Sequence, residues 1–188
     1  MDVGSVSDWI GLVGGATAFW FGYQQYVDAQ AWKRAEFLAA EMKAFFADAN
    51  VARALIFIDY SEIRLDAAGQ PSRQGAMFND VILIRSLAIH TEFENGIESF
   101  SQEEMIARNA WDAFFSGLER FSHYVSTGLI STKDLSPYLE YWITKVAVVD
   151  PNWKPQPFFV AVHRFVDGYN YTGVRSLFNE FGAPPLVS

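Results

Sequence analysis

One spacing in this sequence suggests catalysis: the R-x4-H of Arg85-Ser-Leu-Ala-Ile-His90. Histidine is the side chain suited to moving protons near neutral pH. A five-residue offset turns about 140° around a helix, so Arg85 and His90 do not share a face within one chain. The alternative is structural: Arg85 as a satisfied charge at the edge of a buried helix, and His90 as a helix C-terminal residue complementing the dipole. The other histidines offer less. His123 lies four residues after Glu119, the spacing of an exposed contact on one helix face. His163 has Arg164 beside it and no carboxylate close in sequence. A metal site would need His90, Glu92 and Glu94 to converge with others, and they match no known ligand spacing. P-loop, GxGxxG, GxSxG and HExxH patterns are absent. No cofactor or metal is expected.

Composition narrows the classes further. There is no cysteine, which removes disulfides, thiolate nucleophiles, Cys-ligated zinc and iron–sulfur clusters. The net charge of −8 repels phosphate backbones and argues against broad nucleic-acid binding. Hydrophobic residues make up 51% and aromatics 16% of the 188 residues, ample for one well-filled core.

Such side chains must be positioned by helices. No proline occurs before Pro71 and no glycine between Gly22 and Gly69. With Ser7 or Asp8 as cap, one helix of about 40 residues should run to Asp48. Leu38, Met42 and Phe45 form an apolar stripe in its second half. Asp48-Ala-Asn50 reads as a turn and cap before a short helix over Val51 to Asp59, and Ser61 to Gly75 reads as loop. Met77 to Thr91 reads as a buried helix, with a buried strand as the alternative. Ser101-Gln-Glu-Glu104 is a capping box, and Ala107, Trp111, Phe114, Leu118, Phe121 and Val125 then repeat at spacings of 4 and 3 up to Gly128. Ser136-Pro137 should open the next helix, with Leu135, Leu139, Trp142 and Val146 on its apolar face. Pro157 to Gly168 and Thr172 to Phe181 complete the set. The fold class expected is all-α, a bundle of six or seven helices, and residues 183–188 form a flexible tail.

The opening stretch has a different character. Trp9 to Val27 holds no charged residue, and Asp8 and Asp28 close it. As a helix, Trp9 to Tyr23 rises about 22 Å and Trp9 to Val27 about 28 Å, against roughly 30 Å of hydrocarbon in a bilayer. The acidic opening MDVGSVSD lacks the positive start of a secretory signal. Residues 1–28 are therefore expected to be a membrane anchor and residues 29–182 a helical cytoplasmic domain. Lys33 and Arg34 follow the anchor and nothing basic precedes it, which places the N-terminus outside the cell inner membrane and the domain inside. Gly11, Gly15, Ala18 and Gly22 fall on one face, a small-residue stripe that lets helices approach closely in lipid.

Several segments resemble a group of uncharacterised bacterial single-pass membrane proteins with an all-helical cytoplasmic domain. They are Trp32-Lys-Arg34-Ala-Glu36-Phe37, Trp111-Asp-Ala-Phe-Phe-x-x-Leu118-Glu-Arg-Phe121, Gly128-Leu-Ile130 with Asp134-Leu135, Tyr138-Leu-x-Tyr-Trp142-Ile, and Tyr171-x-Gly173-Val174-x-x-Leu177-Phe178. The resemblance implies shared fold and topology. The R-x4-H is similar to the motif of HEPN ribonucleases, which cleave RNA by acid–base chemistry at the 2′-OH, although Ser86 stands where they usually carry Asn, Asp, His or Gln. The layout is also similar to HEPN-like membrane accessory proteins of CRISPR systems, which assemble in the membrane and act in antiviral defence. The expected function is a membrane-anchored, self-associating, non-enzymatic module, an oligomer or an accessory subunit of a membrane complex. The alternative is a membrane-tethered HEPN-type ribonuclease using Arg85 and His90.

Overall fold

The computed structural model describes residues 3–89 and 100–182, with the side chains of Thr17 and of residue 19 onward. Among the described residues there are seven helices and one two-stranded sheet, so the protein is all-α apart from a single hairpin. Helix α1 spans Val3–Ala47 and α2 spans Ala49–Asp59. Strands β1 (Glu62–Leu65) and β2 (Ala76–Asn79) pair antiparallel, and α3 covers Asp80–Ser86. Then come α4 (Gln102–Ser126), α5 (Thr132–Ala147), α6 (Gln156–Gly168) and α7 (Thr172–Glu180). The chain divides into two compact units, Met1–Glu41 and Met42–Ser188.

The first unit is helical from Val3 onward, as the absence of breakers requires. Thr17 and residues 19–29 are exposed, among them Phe19, Trp20, Phe21, Tyr23 and Tyr26. Among the described residues no helix is long and apolar enough to cross a membrane. The reason lies in composition: Gln24, Gln25 and Asp28 follow the apolar run at once, and its glycines and indoles are weakly hydrophobic.

The second unit is organised around α4. Its 4-3 stripe is buried as the spacing demands: Ala107, Trp111, Phe114, Leu118 and Phe121 have no exposed surface. The capping box is formed, with Ser101 Oγ accepting from Glu104 N at 3.2 Å and Ser101 N donating to Glu104 Oε2 at 2.8 Å. Phe45 stacks edge-on against Phe121 at 5.3 Å and sits beside Phe114. It fits only because residue 117 is glycine, where a Cβ would fall 2.3 Å from the Phe45 ring. From α2, Phe57 meets Trp111, and from α6, Phe158 and Phe165 meet Trp111 and Phe115.

Three expectations need correction. Residues Ala76–Asn79 are a strand, not the opening of a helix, and Glu62–Leu65 are a strand, not loop. Asn79 is the real start signal: its side chain caps α3 by accepting from Ile82 N at 3.1 Å. Helix α5 begins at Thr132, not at Pro137. Ser131 and Asp134 form a second capping box, which places Pro137 inside the helix. The Asp48 cap of α2 stands as expected, accepting from Asn50 N at 2.7 Å and Val51 N at 3.1 Å.

Candidate functional site

Only half of the arginine–histidine pair can be placed. His90 lies outside the described residues, as do Glu92 and Glu94. Arg85 ends α3, and its Nε lies 3.0 Å from Glu104 Oε1. Glu104 is buried and already accepts from the Ser101 amide, so one carboxylate holds the start of α4 and the end of α3 together. The neighbouring Ser86 is fully buried. Its hydroxyl donates to Leu83 O at 2.7 Å and accepts from Trp111 Nε1 at 3.0 Å.

Arg108, which lies off the apolar stripe of α4 in sequence and is nonetheless buried, closes the same region. Its Nη1 donates to the Ser86 and Ala88 carbonyls at 3.1 and 2.5 Å, satisfying acceptors left open where α3 ends. Its guanidinium lies over the rings of Phe165 and Tyr169, 4.4 and 4.8 Å from their centroids, and its Nε faces Asp112 at 3.4 Å. These charges are engaged in fixing helix ends. Among the described residues no group of three acidic or histidine side chains is disposed to hold a metal ion.

Other polar groups behave the same way. Lys154 is buried, and its Nζ donates to Tyr60 O at 2.6 Å and Asp80 Oδ1 at 2.9 Å. Burial lowers its pKa, and the Asp80 carboxylate opposes that shift. Next to it, Trp153 Nε1 donates to Ile58 O at 3.1 Å, so the loop before α6 is fastened to the end of α2. Tyr141 donates to Asp59 Oδ1 at 2.9 Å; partial burial and then that carboxylate raise its pKa. Glu119 does not pair with His123. It reaches α7 instead, accepting from Gly173 N and Val174 N at 3.0 and 2.9 Å, and caps a helix with no side-chain cap of its own. His163 Nε2 lies 3.0 Å from Ala147 O.

Among the described residues two concavities of similar size could take a small molecule. One, of about 410 Å³, is a groove lined by Glu62, Ile63, Arg64, Pro71, Ser72 and Arg73. The other, a cleft of about 420 Å³, lies between α2, the hairpin and the start of α4. Arg53, Ser72, Gln74 and Gln102 supply its polar wall, and Leu65 and Phe78 part of its apolar one. On the small-residue stripe of α1, nothing lies within 4 Å of where a Gly22 Cβ would stand. The surroundings of Gly11, Gly15 and Ala18 lie outside the described side chains.

The fold and these contacts define an all-α protein in which Arg85, Glu104, Arg108, Glu119 and Lys154 fasten one element to another. No family model, no curated protein and no solved structure matches the chain.

Proposed function

We propose that the protein is a membrane-anchored, self-associating helical module of the inner membrane. It acts as an oligomer or as an accessory subunit of a membrane complex, rather than as an enzyme. The observation that carries this reading is the exposure of Phe19, Trp20, Phe21, Tyr23 and Tyr26 on α1. Successive residues of a helix are 100° apart, so Phe19, Trp20 and Phe21 point to widely separated sides. A helix lying on a membrane surface needs a continuous polar face, and the run Phe19 to Tyr23 supplies none. Apolar groups all round a helix suit hydrocarbon or the interior of a helix assembly. The short apolar run favours a group of helices over a single one. Gln24 and Gln25 can pair between copies, and the small residues Gly11, Gly15, Ala18 and Gly22 permit close approach. The engagement of Arg85 with Glu104 supports the non-enzymatic reading.

The test is membrane fractionation with a carbonate wash, followed by light scattering of the detergent-solubilised protein. The wild type should stay with the membrane and run as an oligomer. A Phe19→Ser/Trp20→Ser/Phe21→Ser variant should be released. Purification of the wild type as a monomer without detergent would overturn the reading.

A further inference from the structure

We infer that the cleft between α2 and the hairpin binds a small monocarboxylate with an apolar body, and that Arg53 is its anchor. Arg53 is half-buried at the cleft wall. Its Nη1 donates to Asn50 Oδ1 at 2.9 Å, a neutral partner. Among the described residues no carboxylate lies within ion-pair distance of it, whereas Arg85, Arg108, Lys154 and Arg175 each have one. In a chain with 22 acidic and 14 basic side chains, a half-buried guanidinium without a counter-ion is the exception. Partial burial costs such a cation hydration that only an anion restores in full.

The guanidinium is also held in place. Gly69, at φ +79°, brings the hairpin loop so close that a Cβ there would stand 2.6 Å from Arg53 Nε. Asn50 on one side and the Gly69 backbone on the other fix the donor before any ligand arrives. The remaining lining sets the ligand class. Leu65, Phe78 and Ile106 offer apolar surface, and Gln74 and Gln102 offer amides. Asp66 also lines the cleft, exposed and turned to the loop, where its Oδ1 accepts from Gln70 N. That fixed negative charge disfavours polyanions such as phosphate esters and leaves a single carboxylate as the matching group.

The experiment is calorimetric titration of the 188-residue protein in detergent with butyrate, benzoate and 3-phenylpropionate, each against its neutral amide. At least one acid should bind roughly tenfold tighter than its amide, the discrimination expected of a charge-assisted hydrogen bond. Arg53→Gln should abolish that preference. Arg73→Gln, on the second groove, which Arg53 does not line, should leave it intact. The proposal is overturned if no acid is preferred over its amide by the wild type, or if R53Q keeps the preference. Equal loss in R73Q would overturn it too, since bulk surface charge would then be responsible. Should R53Q fail to fold, the acid-to-amide ratio of the wild type decides alone.

Discussion

Aromatic side chains are abundant in both units of this protein and meet opposite fates. In the unit from Met42 onward, Phe57, Trp111, Phe114, Phe115, Phe121, Phe158 and Phe165 have no exposed surface. In the unit before it, Phe19 and Phe21 are 77% and 63% exposed. Residue type is the same; spacing differs. Positions 111, 114, 118 and 121 recur every three or four residues, so one face collects them and neighbouring helices can cover it. Residues 19, 20 and 21 are consecutive, so no single neighbour can cover all three. Consecutive aromatics are buried only where helices pack on more than one side, as at Phe114, which meets Phe45, and Phe115, which meets Phe165.

The sharpest way to break this contrast is to remove a core aromatic. Trp111→Ala should cost about 3–5 kcal/mol, since it empties a packed site and strands the Ser86 hydroxyl that accepts from Nε1. Urea unfolding followed by circular dichroism would show it. Next comes the buried cation. Lys154→Met should cost about 3 kcal/mol, because Asp80 and the Tyr60 carbonyl lose their donor.

Lys154 also predicts a pH dependence. Its folded-state pKa is lowered, so the unfolded chain binds the extra proton between that value and about 10.4. Through that window the contribution of this group to stability rises with pH. It is lost as pH falls through the folded-state value. The stability difference between wild type and K154M should therefore widen on going from neutral pH toward pH 10. Tyr141, whose pKa is raised, acts in the opposite direction above about pH 10. Repeating the comparison in a Tyr141→Phe background would separate the two.

Smaller is the loss of a helix cap. Glu119→Ala should cost about 1–2 kcal/mol by freeing the Gly173 and Val174 amides, with Glu119→Gln intermediate. The smallest stability effect belongs to the exposed aromatics. Phe19→Ser/Trp20→Ser/Phe21→Ser should leave the urea midpoint of the core transition within about 0.5 kcal/mol of wild type, because those rings are no part of that core. A large destabilisation there would erase the distinction between the two aromatic populations.

Local signals in the sequence served well wherever they were short-range. The Ser101–Glu104 box, the Asp48 cap and the 4-3 stripe of α4 are all present, since each involves groups within a turn or two of one another. The hairpin is hard to read because its strands are separated by ten residues, the Glu-Ile-Arg-Leu alternation of β1 lasts only four residues, and the Ala-Met-Phe-Asn of β2 does not alternate. Pro137 misled for a related reason: a second capping box, Ser131 with Asp134, sits upstream and sets the helix start. Polar residues were harder still. Glu119 and His123 have the spacing of an i, i+4 pair, yet the Glu119 carboxylate serves amides more than fifty positions on.

The sequence by itself determined the all-α class, the long first helix, the core stripe of α4 and the absence of thiol chemistry, because periodicity, capping and composition are local or global sums. Only the tertiary structure decided where the charges go. Arg85 is engaged with Glu104, Arg108 closes the end of α3, Lys154 fastens a loop to Asp80, and Arg53 faces a cleft without a counter-ion. Pairing across elements depends on which helix ends the packing brings together, and no spacing along a single chain encodes that directly.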